Sequence, residues 1–494
     1  MPETARKRHV KRSGKHRTKI VQVTPVVNEN GILPVQRHPR TFLGNVKFYL
    51  TQFSEATTIH GIRYIGERGR SILERVIWTI IVVTVCVLCV YLIRKSYIKW
   101  KTSPVIMTFA TEEITIGQIP FPAVTVCPET KFNPKIFNFT EMVRRKRLGL
   151  PLTHEEIDHL HLSYLVCRDT TEYTNFFLTS TLNRTYVGDV PERLFEMQPD
   201  PNPMNLTEIK WIDTYLNFSE ALIRSVTTQG VCRTFNMMAY DDMLRHGNMF
   251  KRRTTFSRRI RNWSLKHGYH TKDHDGYPLR TFTPGIDGGL TIDSLVTNSS
   301  HLEDLCEGSL QGFKVVIHPT AEFPNMEKHI KLPLDSVVNI AVKPSVVLVS
   351  KELREYSPKE RKCYFFDEKY LAAYNFYTQQ NCMDECLANY TRARCGCVPF
   401  YFPPYGEQVD VCGPGSSECV DYSKLKYLEL EEESGLGAQR CGCLPSCTSL
   451  SYEVETSQMD WNWKRFFYVV QELGYVLSNG EALNKYCSFW RVTG

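Results

Sequence analysis

Val76-Ile-Trp-Thr-Ile-Ile-Val-Val-Thr-Val-Cys-Val-Leu-Cys-Val-Tyr-Leu-Ile93 is an uncharged run of eighteen residues, bounded by Arg75 and Arg94. As a helix it rises about 27 Å at 1.5 Å per residue, close to the roughly 30 Å hydrocarbon slab of a bilayer. A signal peptide has a shorter apolar core near the start of a chain, whereas seventy-five residues precede this run. The sequence therefore predicts a transmembrane helix over 76–93. The next most apolar stretch, Phe466 to Leu477, is interrupted by Gln471 and Glu472.

The span divides the chain unequally in length and in charge. Residues 1–75 carry fifteen Lys or Arg against five acids, a net +10, so with +7 overall the remaining 419 residues sum to −3. The positive-inside rule places 1–75 in the cytosol, although Arg94, Lys95, Lys99 and Lys101 reduce the contrast. Sequons agree with that orientation. Asn138, Asn183, Asn205, Asn217, Asn262, Asn298 and Asn389 each open Asn-x-Ser/Thr, and all lie after the span, as extracellular glycosylation acceptors must. Residues 94–460 are expected outside, with 461–494 as a divergent tail. The 494 residues leave room for roughly three domains, and 23% charged with 42% hydrophobic residues excludes wholesale disorder.

An extracellular setting makes the cysteines disulfide formers. Ten of the seventeen lie in 363–447, and from Cys382 they run C-x3-C-x8-C-x-C-x14-C-x6-C-x21-C-x-C-x3-C. Zinc sites favour C-x2-C pairs with histidine, yet no histidine follows His329, and no metal or cofactor is expected. Cys382 and Cys386 are one helical turn apart, and Cys441 and Cys443 are i and i+2 of an extended segment, so each pair shares one face. The matching steps allow two adjacent rungs, Cys386–Cys441 and Cys382–Cys443, with Cys363–Cys447 outside them. Cys395–Cys419 and Cys397–Cys412 would close loops of their own. The spacing permits other connectivities.

These ten cysteines, with Phe121-Pro-Ala-Val-Thr-Val-Cys127, resemble the degenerin/epithelial sodium channel family, particularly its insect pickpocket branch. Thr58-Ile-His60-Gly61 is similar to the family's His-Gly gating motif, which makes His60 and Gly61 gating candidates. Gly230-Val-Cys-Arg-Thr-Phe-Asn236, Gly312-Phe-Lys-Val315 with His318-Pro319, Arg361-x-Cys363 and Cys441-x-Cys-Leu-Pro-x-Cys447 extend the resemblance over about 40–460. The resemblance implies an α+β membrane protein with a hand-like ectodomain: a β palm and helical finger and thumb. The thumb is then 363–447, Cys127–Cys232 a palm bridge, and Cys167–Cys306 the remaining extracellular pair. It further implies a homo- or hetero-trimer in the plasma membrane that passes sodium, independent of voltage and blocked by amiloride.

The family's second span and its Gly-x-Ser filter do not occur before Gly494, so the sequence-based expectation is that this chain alone does not conduct. Two alternatives are a non-conducting surface protein that binds channel subunits or ligands, and a type II glycosyltransferase using Asp273-His-Asp275. Arg144-Arg-Lys-Arg147 fits a furin-type R-x-x-R site (Arg144, Arg147) if it lies on a loop, and a solvated basic face otherwise. Lys251 to Arg261, with Arg252, Arg253, Arg258 and Arg259 ahead of Trp263, reads as a solvated finger surface; location excludes nucleic acid. Arg6 to Lys19, with eight basic side chains, reads as a disordered tail weakly drawn to anionic lipid. His154-Glu-Glu-Ile-Asp-His159 fails as H-e-x-x-H, because five residues rotate a helix by about 140° and separate the imidazoles.

Overall fold

A computed structural model describes residues 41–59, 61–67, 69–102, 114–167, 185–187, 190–200, 207–245, 259–265, 267–270, 276–293, 295, 297–298, 304–403, 409–434, 441–473 and 486–487. Two compact units, Met1–Thr102 and Ser103–Gly494, divide the chain.

The first unit contains α1 (Phe42–Ala56), α2 (Ile62–Gly66) and α3 (Ile72–Thr102). The eighteen apolar residues lie inside α3, which extends past them at both ends and, at 31 residues, is about 46 Å long. Its apolar side chains are not covered by the chain's own packing, the pattern of a helix whose solvent is lipid. Gly66 makes the short α2 fit α1: a Cβ there would fall 2.6 Å from the Ser54 Cβ, so only a bare backbone passes.

The second unit is mixed. Its strands include β1 (Ala123–Pro128), β2 (Glu208–Trp211), β3 (Thr214–Leu216), β4 (Leu222–Thr227) and β5 (Gly230–Phe235). They continue with β6 (Leu290–Asp293), β7 (Phe313–His318), β8 (Ile330–Leu332), β9 (Ser336–Val347) and β10 (Ser449–Asp460). One five-stranded sheet runs β8-β7-β1-β5-β4, a second is β3-β2-β6, and β9 pairs antiparallel with β10 over twelve residues.

Period-two alternation explains β1. Val124 and Val126 join Phe235, Phe313 and Val315 in one apolar cluster. Thr125 takes the other face, where a buried polar ladder crosses four strands. His318 Nε2 to Thr125 Oγ1 is 2.9 Å, Thr125 Oγ1 to Thr234 Oγ1 2.8 Å, and Thr234 Oγ1 to Ser225 Oγ 2.8 Å. Burial pushes the His318 imidazole down to about 4, so it sits in the ladder as a neutral ring.

The segment Gly230–Asn236 gains a reason for five of its seven residues. Gly230 turns at φ 87°, Cys232 bonds Cys127, Thr234 joins the ladder and Phe235 enters the core. Asn236, at φ 57°, donates from its amide to the Phe121 carbonyl at 2.6 Å and accepts from the Leu279 N–H at 2.6 Å. It locks the strand entry to a neighbouring loop through bonds that a buried backbone requires.

Buried charge is balanced. Lys314 on β7 meets Glu307 at 2.9 Å and Glu129 at 3.1 Å, with Lys131 3.9 Å from Glu129. Burial alone would pull the Lys314 ammonium down, yet the bonds to Glu307 and Glu129 outweigh it and its pKa is raised. Helices α4 (Phe139–Arg147), α5 (His154–Ser163), α6 (Val190–Met197), α7 (Gln379–Cys395), α8 (Ser417–Ser434) and α9 (Trp463–Glu472) complete the parts used below.

Candidate functional site

Gly61 caps α2 at φ 93° and ψ −35°, a backbone region closed to side chains. A Cβ at this position would lie 2.8 Å from Val82 Cγ2 and 3.6 Å from Trp78 Cε3, so the bare backbone rests against the span. Tyr64 stacks on Trp78 with ring centroids 4.6 Å apart, and the Arg70 guanidinium covers Tyr64 at 4.7 Å. Arg70 also pairs with Glu67 at 2.8 Å, and Arg75 donates to the Glu67 carbonyl at 2.9 Å. The result is a short helix clipped to the start of a long one. His60 lies outside the described residues.

The span itself carries no charge between Arg75 and Arg94, and its two threonine hydroxyls are engaged locally. Thr79 donates to the Arg75 carbonyl at 2.7 Å and Thr84 to the Ile80 carbonyl at 2.8 Å. Cys86 and Cys89 are free and exposed on its surface.

The cysteine-rich segment is built on α7. Thr378 caps its start by accepting from the Asn381 N–H, and Gly396 ends it at φ 75°. Cys382 bonds Cys443 and Cys386 bonds Cys441, while Cys363–Cys447 lies outside both. Cys395–Cys419 ties the end of α7 to α8, and Cys397–Cys412 closes the loop between them. Cys127–Cys232 and Cys167–Cys306 are the other two pairs.

In one respect the geometry differs from the extended segment expected around Cys441 and Cys443. Gly442 turns at φ 63°, so this is a turn and not a strand. Its shape is held from outside, because Lys369 Nζ donates to the Cys441 and Gly442 carbonyls at 2.5 and 2.7 Å. Tyr377 donates its hydroxyl to the Leu444 carbonyl, two residues beyond Gly442. Arg361, almost fully buried, ion-pairs with Glu368 and donates to the carbonyls of Tyr356 at 2.6 Å and Cys363 at 3.1 Å. Spacing alone could not reveal Lys369 and Tyr377, whose partners are backbone carbonyls distant in the chain, or Glu368, which accepts from the buried Arg361 guanidinium and the Phe365 N–H.

The other candidates are dispersed. Arg144 and Arg147 close the helix α4, with Arg144 bonded to Glu141 at 2.9 Å and Arg145 to Glu156 at 2.7 Å. The loop premise of a protease site therefore does not hold, because a protease binds an extended strand and this turn would have to unwind first. Asn217 and Asn389 are exposed; Asn138 caps α4, accepting from the Glu141 N–H; Asn262 is half-buried at φ 54°. Asn298 pairs with Tyr486 in a two-stranded ladder. Asn183, Asn205, Arg6 to Lys19, Lys251, Arg252, Arg253, Arg258, Asp273 and Asp275 lie outside the described residues. Arg259 pairs with Asp241 at 3.4 Å. Among the described residues no His, Cys, Asp and Glu cluster is arranged to hold a metal.

A lipid-type helix joined to a domain of small sheets and stapled helices defines a membrane-anchored, disulfide-rich class of protein. Comparison with known proteins makes this specific. A family model described as amiloride-sensitive sodium channel matches residues 53–487, and the chain belongs to that family. The match runs beyond residue 460, into the part read from sequence as a divergent tail. The chain is 27% identical over 421 residues to Pickpocket protein 28 of Drosophila melanogaster, covering 83% of this chain and 65% of that relative. Thus it spans somewhat less than two thirds of that protein's length. It is 20% identical over 418 residues to the Drosophila melanogaster sodium channel protein Nach, covering 84% and 74%. To the human bile acid-sensitive ion channel it is 23% identical over 441 residues, covering 87% and 75%. The family consists of ion channels, which removes the glycosyltransferase alternative.

Proposed function

We propose that the chain serves as a subunit of an amiloride-sensitive sodium channel in the plasma membrane, assembled with two copies or relatives of itself as a homo- or hetero-trimer. The observation that carries this reading is the family match, which begins before the span and continues through the whole cysteine ladder. In this reading 1–75 is cytosolic, α3 crosses the bilayer and the second unit is extracellular. The charge imbalance and the position of the seven sequons support that orientation.

Gly61, seated against Trp78 and Val82, is then a gating element, with His60 beside it. Movement of α3 changes the surface that α2 leans on, so the clip couples the span to the segment before it. The stapled α7 and α8 act as a stiff lever, because each disulfide restricts the unfolded chain and resists local opening.

Expression in oocytes alone and with a Pickpocket-type sibling tests the assignment. An amiloride-blocked sodium current that appears, grows or is suppressed on adding this chain supports a channel subunit. Surface delivery without any effect on the sibling's current and without co-purification overturns it.

A further inference from the structure

We propose that Arg280 is a positioning residue that latches the chain leaving the span, through the Gly117 carbonyl, and that this latch sets how strongly the subunit alters sodium current. The second half of the proposal rests on the chain being a channel subunit. Past Thr102, where α3 ends, the described backbone of the second unit opens at Ile114. A short 3-10 turn, Ile116–Gln118, then leads through Pro120 and Phe121 into β1. Movement of α3 that is passed along the backbone therefore reaches 114–121 before it reaches the sheet.

The Phe121 side chain anchors one end of this segment in an apolar cluster. Along the rest, the hold is polar and comes from distant parts of the chain. Gly117 accepts from the Arg280 Nη1–H at 2.9 Å, Pro120 from the Tyr452 hydroxyl of β10 at 2.7 Å, and Phe121 from the Asn236 amide. The Phe121 N–H returns one bond, to the Leu279 carbonyl at 2.9 Å. Of the three side-chain donors Arg280 alone is charged, and a hydrogen bond from a charged donor is roughly twice as strong as a neutral one.

Arg280 is itself held firmly. It is almost fully buried, and its guanidinium carbon lies 4.1 Å from the Tyr269 ring centroid and 4.9 Å from that of Phe282. Tyr269 is fixed in turn, donating its hydroxyl to the Pro278 carbonyl at 2.6 Å. Phe282 also meets the segment directly: a Cβ on Gly117 would fall 2.5 Å from the Phe282 Cδ1. Gly117 thus sits between a guanidinium that bonds its carbonyl and a ring that occupies the place of its side chain. Loss of the guanidinium frees the carbonyl and removes the cation against which that ring packs.

Hydrogen exchange of the full glycosylated chain in detergent, together with co-expressed current, tests the latch. In Arg280→Met the amides of Gln118, Ile119 and Phe121 are expected to exchange at least about tenfold faster, while those of β5 and β7 keep their rates. The amiloride-blocked current carried with a Pickpocket-type sibling, divided by surface-labelled copies of this chain, is expected to change at least about twofold. Arg280→Lys keeps a charged donor but not the planar stack, and is expected to fall between on both readings. A merely structural role would lower surface delivery and leave current per copy unchanged; that result overturns the proposal. Unchanged exchange at 118–121 in Arg280→Met overturns it as well. Should Arg280→Met not reach the surface, Phe282→Ala, which removes a partly exposed ring from the same latch, is judged by the same two readings. If the unaltered chain leaves the sibling's current untouched, the channel reading itself has failed and the half that concerns current falls with it, whereas the exchange result still decides whether Arg280 holds the segment.

Discussion

Loss of the two central rungs, Cys382–Cys443 and Cys386–Cys441, tests the ladder most sharply, because their energies are coupled. Taken singly by sequence separation, 61 and 55 residues, each closes a long loop whose entropy corresponds to about 4 kcal/mol. The structure changes that figure. With Cys382–Cys443 intact, Cys386–Cys441 closes only the four residues from 382 to 386 and the two from 441 to 443. A loop of about six residues corresponds to about 2 kcal/mol, and the same holds with the roles exchanged. With both absent, the next closure is Cys363–Cys447, leaving nineteen residues on one side and four on the other. That step adds about 3 kcal/mol, so removing both costs about 5–6 kcal/mol, more than twice either alone.

The measurement is a double-mutant comparison of paired Cys→Ala variants of the full chain, followed by tryptophan fluorescence on heating. An unfolding entropy of about 2.1 cal/mol/K per residue over about 390 residues makes 1 kcal/mol equal to about 1 °C. Either single pair should lower Tm by about 2 °C, and both together by about 5–7 °C. Strictly additive losses, or about 4 °C for a single pair, would refute the nested arrangement.

Other outcomes follow from single sites. Gly61→Ala forces φ 93° on an alanine and places its Cβ 2.8 Å from Val82, a strain of about 1–3 kcal/mol. Its effect on the co-expressed current should be partly reversed by adding Val82→Ala, which removes the contact but not the backbone strain. Burial raises Asp384 and Glu322 to about 7, against the bond from Gln380 to the first and Thr378 to the second. A carboxyl raised in the folded state favours folding below its unfolded pKa and loses that contribution as pH rises toward about 7. His318, lowered to about 4, acts oppositely between about 4 and 6.5, so the comparison is made by difference. Relative to Asp384→Asn, the unaltered chain should lose Tm between pH 5 and pH 8; a flat difference would show that Asp384 ionises normally.

Much of the architecture is legible along the chain because it rests on local regularities. An uncharged run long enough for a bilayer needs no tertiary information to be read. Val124 and Val126 alternate with Thr125 and Cys127, and that period of two announces a strand with two different faces. The helical step between Cys382 and Cys386 places both sulfurs on one side of α7 before any partner is known. The turn at Gly442 was not legible. Two cysteines separated by one residue suit an extended segment equally well, and Lys369, seventy-two residues earlier, selects the turn by donating to its carbonyls. Arg144 to Arg147 likewise reads as a basic loop until Asn138 caps a helix beneath it.

Composition and order determined by themselves that this chain has one lipid-length apolar helix, a positively charged segment before it and a cysteine-rich region far after it, because charge, hydropathy and spacing are properties of neighbours in sequence. Only the tertiary structure decided that Gly61 rests on Trp78 and Val82, that Lys314 bridges two buried carboxylates, and that Arg224 faces Arg233. Those relations depend on strand register and on helix contact, which bring together residues whose separation along the chain carries no periodic signal.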